Sequence, residues 1–428
     1  MPEQTPSAVF GYVARDTNPL WLATKKHVFI MAGTRAGKGV NLILPHLLRY
    51  PGSVFALDPK GENAQKTGRQ RQKLNERVHY LDPFGISGKP QARYNPLSRF
   101  TPKNMAAESM ALAEALMMSE KHDHWTAGGQ QLLAALILHV YTSPTIHKDN
   151  KDLPQVRQLL LGDCIKALYD MLESEAGDGL VFMMGKSFLD IEDRERSGII
   201  STAQRQTEIL DIPQIAACLS ACGKGEALDF EDFHRSTMSV FLCLSAPKFP
   251  VFNRWLRLVL TAAMNAMTDR LQPPTLPVCF LLDELQTLGH VQVVENAIGL
   301  AAGYGVQIWS VFQDLGALKE LYKNRWPSFI GNAGVRVVFN IGDNESAEYW
   351  SRFAGMRDVE KLSSQQDLYG INRSQSVSST LQPLIPANEL MLRYTSDKML
   401  VFVEGMHPIE AYRIPYYDSR SGLDGLWD

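Results

Sequence analysis

The segment HVFIMAGTRAGKGVNLILPHLLRYPGSVFALDPKGEN, His27 to Asn63, constrains the chain more than any other. An apolar run from His27 to Ala32 reads as a buried strand, and Gly33, Gly37 and Gly39 let the backbone turn with its amides inward. A helix opening near Lys38 then places those amides where an anion binds, as a phosphate cradle. Thr34, Arg35, Ala36 and Val40 complete the loop, and Lys38 is its mobile cation for β- and γ-phosphates. The spacing departs from the common P-loop in two places. Ala32 stands at the first glycine position, and Gly39 replaces the Ser or Thr whose hydroxyl would hold Mg²⁺.

A second apolar run, Val278 to Leu282 in LPVCFLLDELQTLGH, closes on Asp283 and Glu284. Open α/β sheets bind ligands at the C-terminal ends of such strands. Asp283 is assigned to Mg²⁺, usually through water, and Glu284 to orienting and deprotonating an attacking water. A third run, VQIWSVFQDL from Val306 to Leu315, sets Gln313 just past its apolar part, where an amide senses the γ-phosphate and the lytic water.

TRAGKGV, LDPKGE at Leu57 to Glu62, LLDELQTLG, AGYGVQ, FQDLGALKELY and GNAGVRVVF resemble the coupling ATPases of type IV secretion and conjugation. The similarity reaches the final KMLVFVEGMHPIEAYRIPYY, and that family's P-loop also carries glycine after the lysine. The resemblance implies an α/β fold, a RecA-like P-loop NTPase core with a mostly parallel central sheet and an inserted all-α domain. It implies ATP and Mg²⁺ as cofactors and a homo-oligomer, a hexameric ring. DNA with its relaxase, or effector proteins, would be the substrates, and type IV secretion channel components the partners. A ring ATPase takes an arginine from the neighbouring subunit, for which Arg325 and Arg336 are the candidates, with Lys319 and Lys323 as further interface residues. Two alternatives stand beside this motor: a nucleotide-binding adaptor that captures substrates with little turnover, and a cytosolic DNA translocase without a channel.

The chain has 428 residues, 45% of them hydrophobic, enough for a large core. Its net charge of −3 offers nucleic acid no global attraction, so any DNA contact must be local. Lys66, Arg69, Arg71, Lys73 and Arg77 form the densest basic run, a DNA-facing patch or a solvated helix face. Five scattered cysteines suit a reducing cytosol. No apolar run approaches the ~20 residues that span a bilayer; LLAALILHVY is about half that. The family typically carries an N-terminal membrane anchor, so this chain is read as anchor-less or as a soluble relative. It would be cytoplasmic, peripheral to the inner face of the bacterial inner membrane through a partner or the missing anchor.

Organisation follows the same alternation. Residues 1–101 are read as the first part of the nucleotide-binding domain, 102–226 as an all-α insertion, and 227–428 as the second part. Three helices are expected in the insertion, at Met105–Met118, Trp125–Tyr141 and Arg194–Leu210. Asp123, between His122 and His124, suits an N-cap better than a metal ligand. Leu362 to Gln382 reads as an exposed loop or a hairpin.

Overall fold

The computed structural model describes residues 8–12, 19–22, 24–117, 123–222, 227–270, 272–366 and 373–428. Their strands, in chain order, are β1 (Ala8–Tyr12), β2 (Pro19–Leu22), β3 (His27–Ala32), β4 (Val54–Asp58), β5 (Arg77–Leu81), β6 (Met238–Cys243) and β7 (Val278–Leu282). They continue with β8 (Val306–Phe312), β9 (Ala333–Phe339), β10 (Met356–Gln366), β11 (Arg373–Pro383), β12 (Lys398–Val403) and β13 (Ile409–Tyr412). The chain divides into two compact units, one of residues 1–50, 281–290 and 307–427, the other of 51–280, 291–306 and 428.

In the first unit the strand order is β2-β1-β13-β12-β9-β3-β8. The three strands β9, β3 and β8 run parallel, with Phe29 opposite Arg336 on one side and Ser310 on the other. Every residue of β3, β8 and β9 is buried, as expected of parallel strands covered on both faces. Phe29 packs on Phe312 and Trp350, each at 6.0 Å between ring centres, and the fully buried Trp350 stacks on Phe402 at 5.4 Å. Each such ring contributes roughly 1.5–3 kcal/mol by leaving water. The remaining strands β12, β13, β1 and β2 join antiparallel. A smaller core seats Tyr416 and Leu423 against Leu44 and Leu48 of the helix Leu44–Arg49.

The second unit holds a parallel set, β5-β6-β4, in which Val240 lies opposite both Phe55 and His79. Between β5 and β6 the chain is helical, and here the expectation of three helices needs correction. Helices form at Met105–Leu116, His124–Thr142, Leu153–Leu161, Cys164–Met171, Leu180–Leu189, Asp193–Gln206 and Pro213–Leu219. The four unforeseen ones span ten residues or fewer. Segments this short gain stability from packing rather than propensity, so their period is weak in sequence. Arg194–Leu210 is likewise two elements, because Thr207 ends the helix and a 3₁₀ turn, Glu208–Asp211, follows. Asp123 does cap its helix, accepting from the Thr126 amide at 2.7 Å, while His122 lies outside the described residues.

The basic run belongs to this unit and is not one solvated face. Arg71 is completely buried, donating to Ser239 Oγ at 2.8 Å and Gly52 O at 2.7 Å. Arg77 is ion-paired with Asp232 and Arg69 with Asp428. Of Leu362 to Gln382, the part described is hairpin: β10 and β11 pair antiparallel from Met356 opposite Pro383 to Gln366 opposite Arg373, and residues 367–372 lie outside the described set. Among the described residues no helix is long and apolar enough to cross a membrane.

Candidate active site

The residues singled out in the P-loop, the acid pair and Gln313 all lie in the first unit. β3 ends at buried Ala32, and the chain turns through Gly33–Lys38 into a short π-helical turn, Gly39–Ile43, before the helix Leu44–Arg49. Arg35 (φ 57°) and Gly37 (φ 82°) are both left-handed, a conformation costly for arginine and easy for glycine. Gly33 is required for another reason: its amide donates to Asn340 O at 3.1 Å, and a Cβ there would lie 2.7 Å from that oxygen. Gly39 has nothing within 4 Å of its Cβ position. Lys38 Nζ donates to Ala32 O at 3.1 Å, so the ammonium curls over its own loop. A cation and turned amides at one helix mouth fit a polyphosphate.

Beside this loop stand the acids. Asp283 and Glu284 follow buried β7, both half-buried, and Glu284 is left-handed (φ 58°) as the chain enters the 3₁₀ turn Leu285–Leu288. The Glu284 amide donates to Asp283 Oδ1 at 3.1 Å, fixing one carboxylate by its neighbour's backbone. A left-handed non-glycine residue is costly and persists only where its surroundings hold it. β8 pairs with β3 up to Phe312 opposite Met31, so Gln313 emerges where the P-loop begins. The strand ends there rather than at Leu315, which opens the helix Leu315–Tyr322 capped by Asp314.

A hydrogen-bonded chain joins the parts. Thr34 Oγ1 donates to Gln313 Oε1 at 3.1 Å, and Gln313 Nε2 donates to Glu284 Oε2 at 3.3 Å. Gln286 Nε2 reaches the same oxygen at 3.5 Å. Loop, Gln313 amide and Glu284 carboxylate thus form one polar unit.

The two arginines are placed differently. Arg336 is 8% exposed in β9, donates to Ile330 O at 2.7 Å and Gly331 O at 3.2 Å, and lies 5.4 Å over the Phe353 ring. Burial lowers its pKa from the usual arginine value, with Glu404 and Tyr349 opposing. Its guanidinium is thus held by carbonyls of its own chain. Arg325 is exposed, at the end of the 3₁₀ turn Lys323–Arg325. Lys319 pairs with Glu345 at 2.5 Å.

Sequence reasoning missed three supports. Asn340 is left-handed (φ 50°) and presents the carbonyl that Gly33 meets. Arg413, 8% exposed, donates to Ala36 O at 2.7 Å and to Ser396 O, and sits 4.6 Å over Phe339. The Tyr416 amide donates to Val40 O at 2.9 Å. No local signal marks them, because each acts on a backbone group of the loop far away in sequence.

Comparison with known proteins bears on the family and the fold. The model of the type IV secretory system conjugative DNA transfer family matches residues 3–425. The probable conjugal transfer protein TraG of Sinorhizobium fredii is 26% identical over 91% of this chain and 62% of its own length. Protein VirD4 of Rhizobium rhizogenes is 26% identical over 96% of this chain, again 62% of its own length. The chain therefore spans less than two thirds of these relatives. Among solved structures, the unbound conjugative coupling protein TrwBdeltaN70 superposes with a TM-score of 0.71 over 97% of this chain and 90% of its own, at 14% identity, a likeness of fold. TrwB in complex with the ATP analogue ADPNP gives 0.69 over 97% and 90% at 14% identity, and its complex with ADP and Mg²⁺ gives 0.66 over 91% and 86% at 14%. The fold is the α/β, RecA-like P-loop NTPase core, and with the family match running almost end to end, this chain belongs to the type IV secretory system conjugative DNA transfer family.

Proposed function

We propose that this protein is an Mg²⁺-ATP-dependent coupling ATPase, acting as a homo-oligomeric ring, a hexamer, that brings DNA with its relaxase, or effector proteins, to a type IV secretion channel. The observation that carries the reading is the chain Thr34–Gln313–Glu284 at the mouth of the P-loop. It ties the loop that would hold the triphosphate to the base that would activate water. Lys38, now on Ala32 O, would move to the β- and γ-phosphates. Amides of the Gly33–Val40 turn, other than that of Gly33, which donates to Asn340 O, would donate to phosphate oxygens. Asp283 would hold Mg²⁺, since Gly39 offers no hydroxyl, and the metal would supply charge neutralisation for the polyphosphate. Glu284 would take the proton of the attacking water, and Gln313 would align that water and register the γ-phosphate. Arg325, exposed, suits a role in trans better than Arg336 does. The complexes of TrwB with ADPNP and with ADP and Mg²⁺ support the choice of ligand.

The test is steady-state ATP hydrolysis at low salt, with and without single- and double-stranded DNA, beside Lys38→Ala. Turnover that rises with DNA and vanishes in the variant supports the motor; turnover indifferent to Lys38→Ala refutes it.

One observation favours a second reading, a substrate receptor with slow turnover. Leu161, which ends the helix Leu153–Leu161, and Ile165 and Tyr169, four apart on the helix Cys164–Met171, are 51%, 39% and 58% exposed. Substrate capture unaffected by Ile165→Glu together with Tyr169→Glu would count against it.

A further inference from the structure

The buried Arg413 lies in the first unit with the P-loop, although hundreds of residues separate them in sequence. Its guanidinium donates to Ala36 O at 2.7 Å and to Ser396 O, while Nε, also buried, has no hydrogen-bond partner among the described residues. Burying a guanidinium with a donor left over is costly. What it grips is therefore informative. Ala36 sits between the left-handed Arg35 and Gly37, and the glycine permits either orientation of the Ala36–Gly37 peptide plane. In a trans peptide the carbonyl oxygen and the following N–H point in opposite directions. A donor that holds the Ala36 carbonyl on one side of the loop thereby turns the Gly37 N–H to the other. A second tie, Tyr416 N to Val40 O at 2.9 Å, fixes the start of the helix from the same C-terminal segment.

We propose that Arg413 is a positioning residue of the phosphate cradle: by holding the Ala36 carbonyl it aims the Gly37 amide at the β-phosphate of a nucleoside di- or triphosphate. The assignment rests on the nucleotide reading above and adds to it a selectivity. Arg413 matters for ligands that place phosphate in the cradle and not for a nucleoside monophosphate, whose single phosphate leaves the β-position empty. Its effect passes through the loop backbone and needs no contact with the ligand.

The experiment measures equilibrium binding of ADP, of a non-hydrolysable ATP analogue and of AMP to the full chain, to Arg413→Gln, to Arg413→Lys and to Lys38→Ala. Arg420→Gln serves as a control in the same segment, removing an arginine bonded to Asp418. The expected result is about tenfold or greater weakening of ADP and the ATP analogue in Arg413→Gln, with AMP within about twofold and most of the loss recovered by lysine. ADP binding within about twofold of the parent, or equal weakening of ADP and AMP, would overturn the assignment. If Arg413→Gln does not fold, hydrogen exchange on the parent decides. Added ADP should slow exchange at residues 411–417 together with 33–40, and unchanged exchange at 411–417 would overturn it. A parent that binds none of the three ligands, and behaves like Lys38→Ala, overturns the nucleotide reading and this assignment with it, a pattern distinct from either result above.

Discussion

Gln313 donates its side-chain amide to Glu284 Oε2 across 3.3 Å while its own carbonyl oxygen receives the Thr34 hydroxyl at 3.1 Å. One planar amide thus links the P-loop to the acid, and a change in either partner reorients it. Gln313→Ala removes both bonds without opening the core. We expect turnover to fall about 10- to 100-fold with ATP-analogue affinity within about threefold. Steady-state kinetics beside equilibrium binding checks this, and an equal loss of both would contradict a sensor role.

Two glycines of the loop are expected to behave oppositely. Gly33→Ala drives a methyl group to 2.7 Å from the Asn340 carbonyl, which cannot yield without moving the β9 exit. It should abolish nucleotide binding and cost about 1–3 kcal/mol in denaturant unfolding. Gly39→Ser meets nothing within 4 Å and should fold and bind normally. Its new hydroxyl should lower the Mg²⁺ concentration at half-maximal activity. An unstable Gly39→Ser protein would show that the loop is tighter than the Cβ position indicates.

How much of this was legible in the sequence depends on whether a residue acts locally. β3 and β7 were readable to the residue because unbroken apolar runs ended on glycine or acid. Lys38, Asp283, Glu284 and Gln313 follow from strand ends and motif spacing, and the structure brings the loop, Glu284 and Gln313 into hydrogen-bonding contact. The left-handed backbone of Glu284 was not readable, since nothing local distinguishes it from any strand exit. Arg413 and Asn340 were invisible because their partners are backbone groups, the Ala36 carbonyl and the Gly33 amide, which carry no sequence identity. Arg71 misled for a related reason: within a basic run, burial against Ser239 and Gly52 looks the same as exposure.

The placement of the two candidate arginines separates their expected phenotypes. Arg336→Ala empties a buried site and leaves the Ile330 and Gly331 carbonyls without their donor, so it should lower stability by about 2–4 kcal/mol. Arg325→Ala, at the surface, should leave the melting temperature nearly unchanged and slow turnover only where subunits assemble. Thermal melts and concentration-dependent hydrolysis distinguish them. A stable Arg336→Ala protein with lost turnover would reverse the assignment.

Stability should fall on mild acidification. Burial lowers the pKa of His79 below 6.5, with Arg77 assisting and Asp232 opposing. Burial likewise lowers that of His139, opposed by Asp170 and assisted by Lys166. The unfolded chain then binds protons that the folded one refuses. This stabilising contribution is complete above the ordinary value of 6.5 and is lost as pH drops below it. The melting temperature should be lower near pH ~5.5 than near pH ~7.5, and the difference should shrink in His139→Gln. A difference unaltered by that substitution would assign the effect elsewhere.

The most direct test of the central claim is a comparison of Glu284→Gln with the parent in two assays, ATP-analogue binding and steady-state ATP hydrolysis with Mg²⁺. The substitution keeps shape and hydrogen-bonding reach and removes only basicity. The account predicts binding within about twofold and turnover reduced by about 100-fold or more. Turnover preserved in Glu284→Gln, or binding and turnover lost together, would contradict the assignment of Glu284 as the base beside the Lys38 loop.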